Sequence, residues 1–215
     1  MLDLNDLTLS LNGTALVHLT ARVAGGQVLT IMGPSGSGKS SLLMALIGAL
    51  PAAFTQSGQI TLNGADITGL PTAQRQIGIL FQDDILFPHL SVAGNLLFAV
   101  PRTAGQSRRA RAGLVEQGLI SIGLPGYGRR DPATLSGGQR ARVALLRALL
   151  AEPKALLLDE AFSRLDSGLR AQIRDLVFHE ARSRALPVIM VTHDAEDARA
   201  AQGPVLDPLG TPLTL

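Results

Sequence analysis

Residues 33–40 constrain this chain more tightly than any other segment. They read Gly33, Pro34, Ser35, Gly36, Ser37, Gly38, Lys39, Ser40: a glycine, four residues, then glycine, lysine and serine. The apolar run 27–32 before them predicts a buried strand, and residues 39–50 after them predict a helix stopped by Pro51. A glycine-rich connection of this spacing between strand and helix lets the backbone wrap a phosphate with its N–H groups, and the helix N-terminus adds partial positive charge. Lys39 then brings a full charge to the β- and γ-phosphates, Ser40 offers a hydroxyl to Mg2+, and Ser41 continues the same turn. A plain Gly/Ser turn with a chance lysine would not need the strand before it and the helix after it. The pattern implies a nucleoside triphosphate without saying what machine uses it.

The rest of the chain reads as strands and helices in alternation, which implies an α/β sheet. Residues 2–10 place Leu2, Leu4, Leu7 and Leu9 between polar positions with one slip, as in a half-exposed strand near an edge. Segments 58–62 and 76–81 predict two further short strands. From 83 to 150 the pattern turns helical, with helices over 91–100, 107–122 and 137–151. The core then resumes: an apolar strand at 155–159, continuous as in a parallel sheet covered on both faces, a helix over 167–184, a strand at 187–191 and a short helix from Asp194. The tail, with Pro204, Pro208 and Pro212, reads as short edge strands and turns.

Composition excludes several classes. With 215 residues, 46% of them hydrophobic, the chain can bury a core without staples. Without cysteine it has neither a disulfide framework nor a thiolate metal site, and without Trp its core is aliphatic. The net charge is only +2, so the arginine-driven high isoelectric point argues little for nucleic acid; Arg108, Arg109 and Arg111 read as a solvated helix face. The longest apolar run, Leu42 to Leu50, is far short of the roughly 20 residues that span a bilayer, and no signal peptide is expected. A membrane role would have to come through a partner.

Two more stretches carry chemistry. Asp159 and Glu160 stand at the C-terminal end of a buried strand, the ligand edge of an open α/β sheet. Asp159 there suits Mg2+ through its waters and Glu160 suits a general base, although an acidic pair alone could as well cap the next element. Leu135, Ser136, Gly137, Gly138 and Gln139 open a helix with Ser136 as N-cap, aiming a second set of backbone N–H groups at an anion. One nucleotide does not need two such sites; two chains facing each other would use both. His193, just after a strand, reads by itself as a surface residue, and His18, His89 and His179 are too scattered for a metal site.

Taken together and in this order, these motifs resemble those of the nucleotide-binding subunit of ABC transporters, from residue 2 to about 200. Gly33 to Ser40 resemble the Walker A loop, Gln82 the Q-loop glutamine, and Leu135 to Gln139 the family signature. Asp159 and Glu160 resemble the Walker B pair, the stretch Ser163 to Asp166 the D-loop, and His193 the switch histidine. The resemblance is nearest to small importer ATPases for polyamine, thiamine or iron, on the segments Pro71–Gly78 and Leu86–Leu90.

It implies an α/β fold: a P-loop NTPase core with a mostly parallel sheet, N-terminal antiparallel β strands and an inserted helical subdomain. The single domain 1–215 would comprise a RecA-like core with its β subdomain at 1–82 and 151–215, and a helical subdomain carrying the signature at 83–150. The implied activity is hydrolysis of ATP with Mg2+. Glu160, His193 and Gln82 would be catalytic, and Ser40, Gln82 and Asp159 would lie around the metal. The Walker A residues with Ser41, and Ser136, Gly137, Gly138, Gln139 and Asp166, would bind nucleotide. The implied partners are a second copy of the chain in an ATP-sandwich dimer, integral membrane permease subunits and an extracytoplasmic substrate-binding protein, not nucleic acid. The implied place is the cytoplasmic face of the inner membrane, as a peripheral subunit. A soluble ABC-type ATPase, a P-loop kinase or GTPase, and a non-hydrolysing binding module are the rival readings.

Three departures stand out. The family stacks adenine on an aromatic residue roughly two dozen positions before the phosphate loop, but no aromatic precedes Phe54, and Ser10 or Leu11 occupies that place. Ala161 stands where the family commonly has proline. Too little sequence follows His193 for the regulatory domain that some importer ATPases carry.

Overall fold

The computed structural model describes residues 1–102 and 107–215. In chain order the elements are β1 (Leu2–Leu11), β2 (Thr14–Val23), β3 (Val28–Met32), α1 (Lys39–Ile47), β4 (Phe54–Leu62), β5 (Ala65–Asp66), α2 (Thr72–Arg75) and β6 (Ile77–Leu80). They continue with α3 (Val92–Ala99), α4 (Arg108–Ser121), α5 (Gly137–Leu150), β7 (Ala155–Asp159), α6 (Ser167–Ser183), β8 (Val188–Thr192), α7 (Ala195–Ala201) and β9 (Val205–Leu206). The chain divides into two compact units. The first holds Met1–Ile79, Lys154–Glu160 and Phe178–Leu215; the second holds Leu80–Pro153 and Ala161–Val177.

The first unit contains two sheets. One is antiparallel, in the order β2-β1-β4-β5; the other is in the order β6-β7-β8-β3-β9, with β7, β8, β3 and β9 running parallel. The leucine alternation of β1 buries Leu2, Leu4, Leu7 and Leu9 completely, and the slip between Leu4 and Leu7 is a bulge. Asp6 takes φ 52° there, so one extra residue is absorbed and the second pair of leucines returns to the core face. The bulge depends on Gly58 of β4: a Cβ at that position would stand 2.2 Å from the carbonyl oxygen of Asp6. β1 lies between β2 and β4, one strand in from the edge of this sheet. β2 has no counterpart in the sequence reading. It follows a two-residue turn, Asn12 and Gly13 at φ 51° and 80°, the conformation that closes tight hairpins.

The core of this unit joins leucines of β1 and β2 to Leu42, Leu43 and Leu46 of α1 and to Leu29, Ile31, Leu157, Ile189 and Val191 of the parallel sheet. β7 and β8 are buried along their length, as continuous apolar strands covered on both faces should be. α1 ends at Ile47 rather than at residue 50, because Gly48 takes a left-handed turn and its N–H returns to Ala45. At that end the carbonyls of Ala45 and Leu46 accept from the Arg75 guanidinium at 2.7 and 2.9 Å, and the same side chain donates to Leu70 and Thr68. β4 starts at Phe54, earlier than residue 58, since Gly58 sits inside the strand rather than before it.

The second unit packs α3, α4 and α5 around Val92, Leu96, Leu119, Val143 and Leu146. Ser91, Ser107 and Ser136 cap the three helices through their hydroxyls. The fully buried Asn95 ties the preceding loop down, accepting from the N–H of Phe87 and donating to the carbonyls of Phe87, Leu90 and Ser91. Residues 161–177 group with these helices. Among the described residues no helix is long and apolar enough to cross a membrane.

Gly58→Ala puts a methyl group into the backbone of the bulge and adds strain at φ 84°. The substitution is expected to cost about 3 kcal/mol or more and to lower the melting temperature accordingly, whereas an unchanged melt would contradict this account of β1.

Candidate functional site

The parallel sheet sets the site by register. Met32, the last residue of β3, pairs with Thr192, the last of β8, and Asp159, the last of β7, pairs with Val191. Gly33, Glu160 and His193 therefore step off neighbouring strands at one carboxyl edge, where open α/β sheets bind their ligands.

The loop from β3 to α1 is drawn in tightly. Gly38 sits at the helix N-cap with φ 92°, and a Cβ there would lie 2.9 Å from Val17 and 3.1 Å from Leu16 of β2. Only glycine allows both the conformation and the approach of that strand. Gly33 is packed against the tail: its Cβ would meet Pro208 at 3.2 Å. The cap of α1 supplies no side-chain acceptor and its first turn no acid, so its leading N–H groups are not taken by the helix's own side chains. Lys39, only 6% exposed, lays its ammonium back across the loop and donates to the carbonyls of Gly33 (2.7 Å) and Pro34 (2.8 Å). An ammonium held on the carbonyls of a glycine-rich loop at a helix tip has the chemistry that a phosphate group needs.

Two carboxylates complete this edge. The Ser40 hydroxyl donates to Asp159 Oδ1 at 3.2 Å, so two hard oxygen ligands sit side by side. Among the described residues no group of three or more His, Cys, Asp or Glu could hold a metal. One hydroxyl and one carboxylate fit Mg2+, which keeps several waters and takes the rest of its ligands from phosphates. Glu160 follows in a left-handed conformation (φ 45°), which costs about 1–3 kcal/mol in a non-glycine residue. Its N–H is held by the Val191 carbonyl at 3.0 Å, and its carboxylate lies 3.3 Å from His193 Nδ1. The histidine is 61% exposed and the glutamate 25%, so the pair is braced by the sheet and open to solvent.

The structure thus brings Gly33 to Ser40, Ser41, Asp159, Glu160 and His193 together in the first unit. Gln82, Ser136, Gly137, Gly138, Gln139 and Asp166 belong to the second. There Ser136 heads α5 with a complete capping box: its hydroxyl accepts from the Gln139 N–H while Gln139 accepts from the Ser136 N–H. Ser136 is exposed; Gly138 is buried, and a Cβ on it would strike Leu169 at 2.5 Å. Asp166 accepts from the Leu169 N–H at 3.0 Å and so caps α6, and Gln82 is exposed just beyond β6. Sequence reasoning missed Leu16 and Val17, which shape the loop from β2; the Asn12-Gly13 turn was the available signal for that strand.

Residues 16–163 match the family model described as ABC transporter. The chain is 55% identical over 192 residues to the uncharacterized ABC transporter ATP-binding protein YnjD of Escherichia coli K12, covering 89% of this chain and 87% of that one. It is 43% identical to the thiamine import ATP-binding protein ThiQ of Brucella abortus (91% and 79% covered). It is 38% identical to the Fe(3+) ions import ATP-binding protein FbpC 1 of Rhizobium meliloti, where it covers 90% of this chain and 54% of the relative, spanning about half of that protein's length.

Burial pushes the Asp159 carboxyl above the ordinary range and the Glu160 charge adds to this, while the Ser40 hydroxyl and Lys39 pull it part way back. The folded chain therefore keeps this proton to higher pH than the unfolded chain, and the group's contribution to stability falls as pH rises through the folded value. Asp159→Asn, which cannot ionise, is expected to melt above the wild type at neutral pH without nucleotide, with the gap closing as the pH is lowered into the carboxylate range. A lower melting temperature at neutral pH would contradict this.

Proposed function

The chain belongs to the ABC transporter ATP-binding proteins, which are ATPases, and on that premise we propose that two copies close around two Mg-ATP and drive import through separate permease subunits. The observation that carries the reading is the convergence, on one sheet edge, of the Lys39 loop, the Ser40–Asp159 pair and the Glu160–His193 pair.

In this reading Lys39 and the N–H groups of the loop hold the β- and γ-phosphates. Ser40 and Asp159 hold Mg2+, which when bound would draw charge from the phosphate oxygens. Glu160 accepts the proton of the attacking water. His193 steadies the Glu160 carboxylate through Nδ1 and leaves Nε2 to face the γ-phosphate. The second anion site, the exposed Ser136 with Gly137, Gly138 and Gln139, closes on the nucleotide of the other copy, so both γ-phosphates are needed for closure and hydrolysis reopens the dimer. The helical segment 83–150 and Gln82 relay this motion to the permease at the cytoplasmic face of the membrane. A substrate-binding protein outside the membrane would deliver the cargo, in line with the thiamine and iron import relatives.

Glu160→Gln is expected to bind Mg-ATP, to form dimers seen by sedimentation, and to lose at least about two orders of magnitude in phosphate release, the scale of a general base. A variant with the wild-type rate would refute the assignment. Lys39→Ala should lose nucleotide affinity in a direct binding measurement.

The base is a separate matter. Ser10 and Leu11, at the end of β1, pair with Ala15 and Thr14 of β2 and with Thr55 and Phe54 of β4, so neither position itself carries an aromatic ring, although Phe54 is the cross-strand neighbour of Leu11. Stacking contributes about 1 kcal/mol, so GTP should be hydrolysed within about fivefold of ATP; a much larger preference for ATP in competition assays would contradict this.

A further inference from the structure

Three stretches far apart in sequence meet inside the second unit. Residues 82–86, the first turns of α5, and Ala161, Arg164 and Leu165 line a single cleft. What holds them is charge. Arg140 of α5 donates from Nε to Asp84 at 3.2 Å and from a terminal nitrogen to the Leu135 carbonyl at 2.7 Å. One guanidinium thus joins the residue two after Gln82 to the carbonyl immediately before Ser136. Arg147, two turns further along α5, donates to the Ile85 carbonyl at 2.8 Å and to the Asp84 carbonyl at 3.4 Å, and stands over the Phe87 ring. Asp83, the residue directly after Gln82, pairs with Arg164, two before Asp166. Asp166 caps α6 through Leu169, the side chain packed against Gly138. By both routes the neighbours of Gln82 end at the serine–glycine tip.

We propose that Asp84, through Arg140, is a positioning residue that holds Gln82 and the Ser136 tip of α5 in one register, so that a nucleotide sensed by the first sets the second for closure. The inference rests on the reading above that Gln82 faces the nucleotide and the tip grips the one bound to the other copy. The energetics favour a positioning role over a stabilising one. The Asp84 and Arg140 side chains keep only 29% and 39% of their surfaces exposed, so bringing their charges together costs both of them hydration. Such a pair adds little stability and fixes geometry instead. The Asp83–Arg164 pair, with both side chains about three-fifths exposed, is the weaker tether.

The test uses the full chain carrying Glu160→Gln, with and without Asp84→Asn. Affinity for a fluorescent ATP analogue, measured on the monomer, should change less than twofold. The ATP concentration giving half-maximal dimer should rise about tenfold, the usual size of coupling between two sites. Arg140→Gln should do the same, the double variant should be no worse than either single one, and Asp84→Glu should restore part of the response. An unchanged dimerisation midpoint, or nucleotide affinity and dimerisation falling together with the melting temperature, would overturn the proposal. If the Glu160→Gln parent itself fails to dimerise with ATP, the functional reading falls and takes this inference with it; if the parent dimerises and Asp84→Asn matches it, only the inference falls.

Discussion

The buried ammonium of Lys39, turned back onto the carbonyls of Gly33 and Pro34, is the interaction around which the first unit is arranged. A cation at the edge of an apolar sheet is costly unless its N–H groups are met, and the loop meets two of the three with its own backbone. That geometry requires a loop short and glycine-rich enough to fold under the lysine, a strand behind it to brace Gly38, and a helix whose leading N–H groups stay uncapped. The parallel register then does the rest. Because β7 and β8 end level with β3, the two carboxylates and the histidine arrive at the same edge without any loop having to reach for it.

The residues that meet at this edge could be picked out in the sequence because each group of them is local. A phosphate loop needs eight consecutive residues, an acidic pair needs one apolar strand before it, and a capping box needs four residues starting with Ser136. What was not legible is non-local. β1 alternates in the same way whether it lies at an edge or in the middle, since its partners β2 and β4 are decided elsewhere in the chain. The slip between Leu4 and Leu7 looked like noise and is a bulge, visible only once Gly58 is seen opposite Asp6. β2 was hidden because Ala15 and Leu16 blur its alternation at the start, although Val17, Leu19 and Val23 are buried in step. Arg75, which no local pattern singles out, is buried because its guanidinium reaches the Ala45 and Leu46 carbonyls at the end of α1.

The second unit shows the same division. Of its three serine caps, Ser136 was readable in the sequence; Ser91 and Ser107 stand first in the predicted helices and cap them. The ion pairs that join Asp83 and Asp84 to Arg164 and Arg140 link residues 81 and 56 positions apart, and no local pattern announces them. These contacts also separate two roles that proximity in sequence runs together. Gln139 and Asp166 both complete helix caps, so their side chains shape the tip of α5 and the start of α6 whatever else they touch.

The central claim is that a triphosphate is shared between the lysine loop of one copy and the serine–glycine tip of another. The most direct measurement is a crystal structure of the Glu160→Gln chain grown with Mg-ATP. The account predicts a γ-phosphate against Lys39 with Ser136 of a second copy within hydrogen-bond distance of it. A nucleotide held by Lys39 alone, with Ser136 turned to solvent, would contradict it.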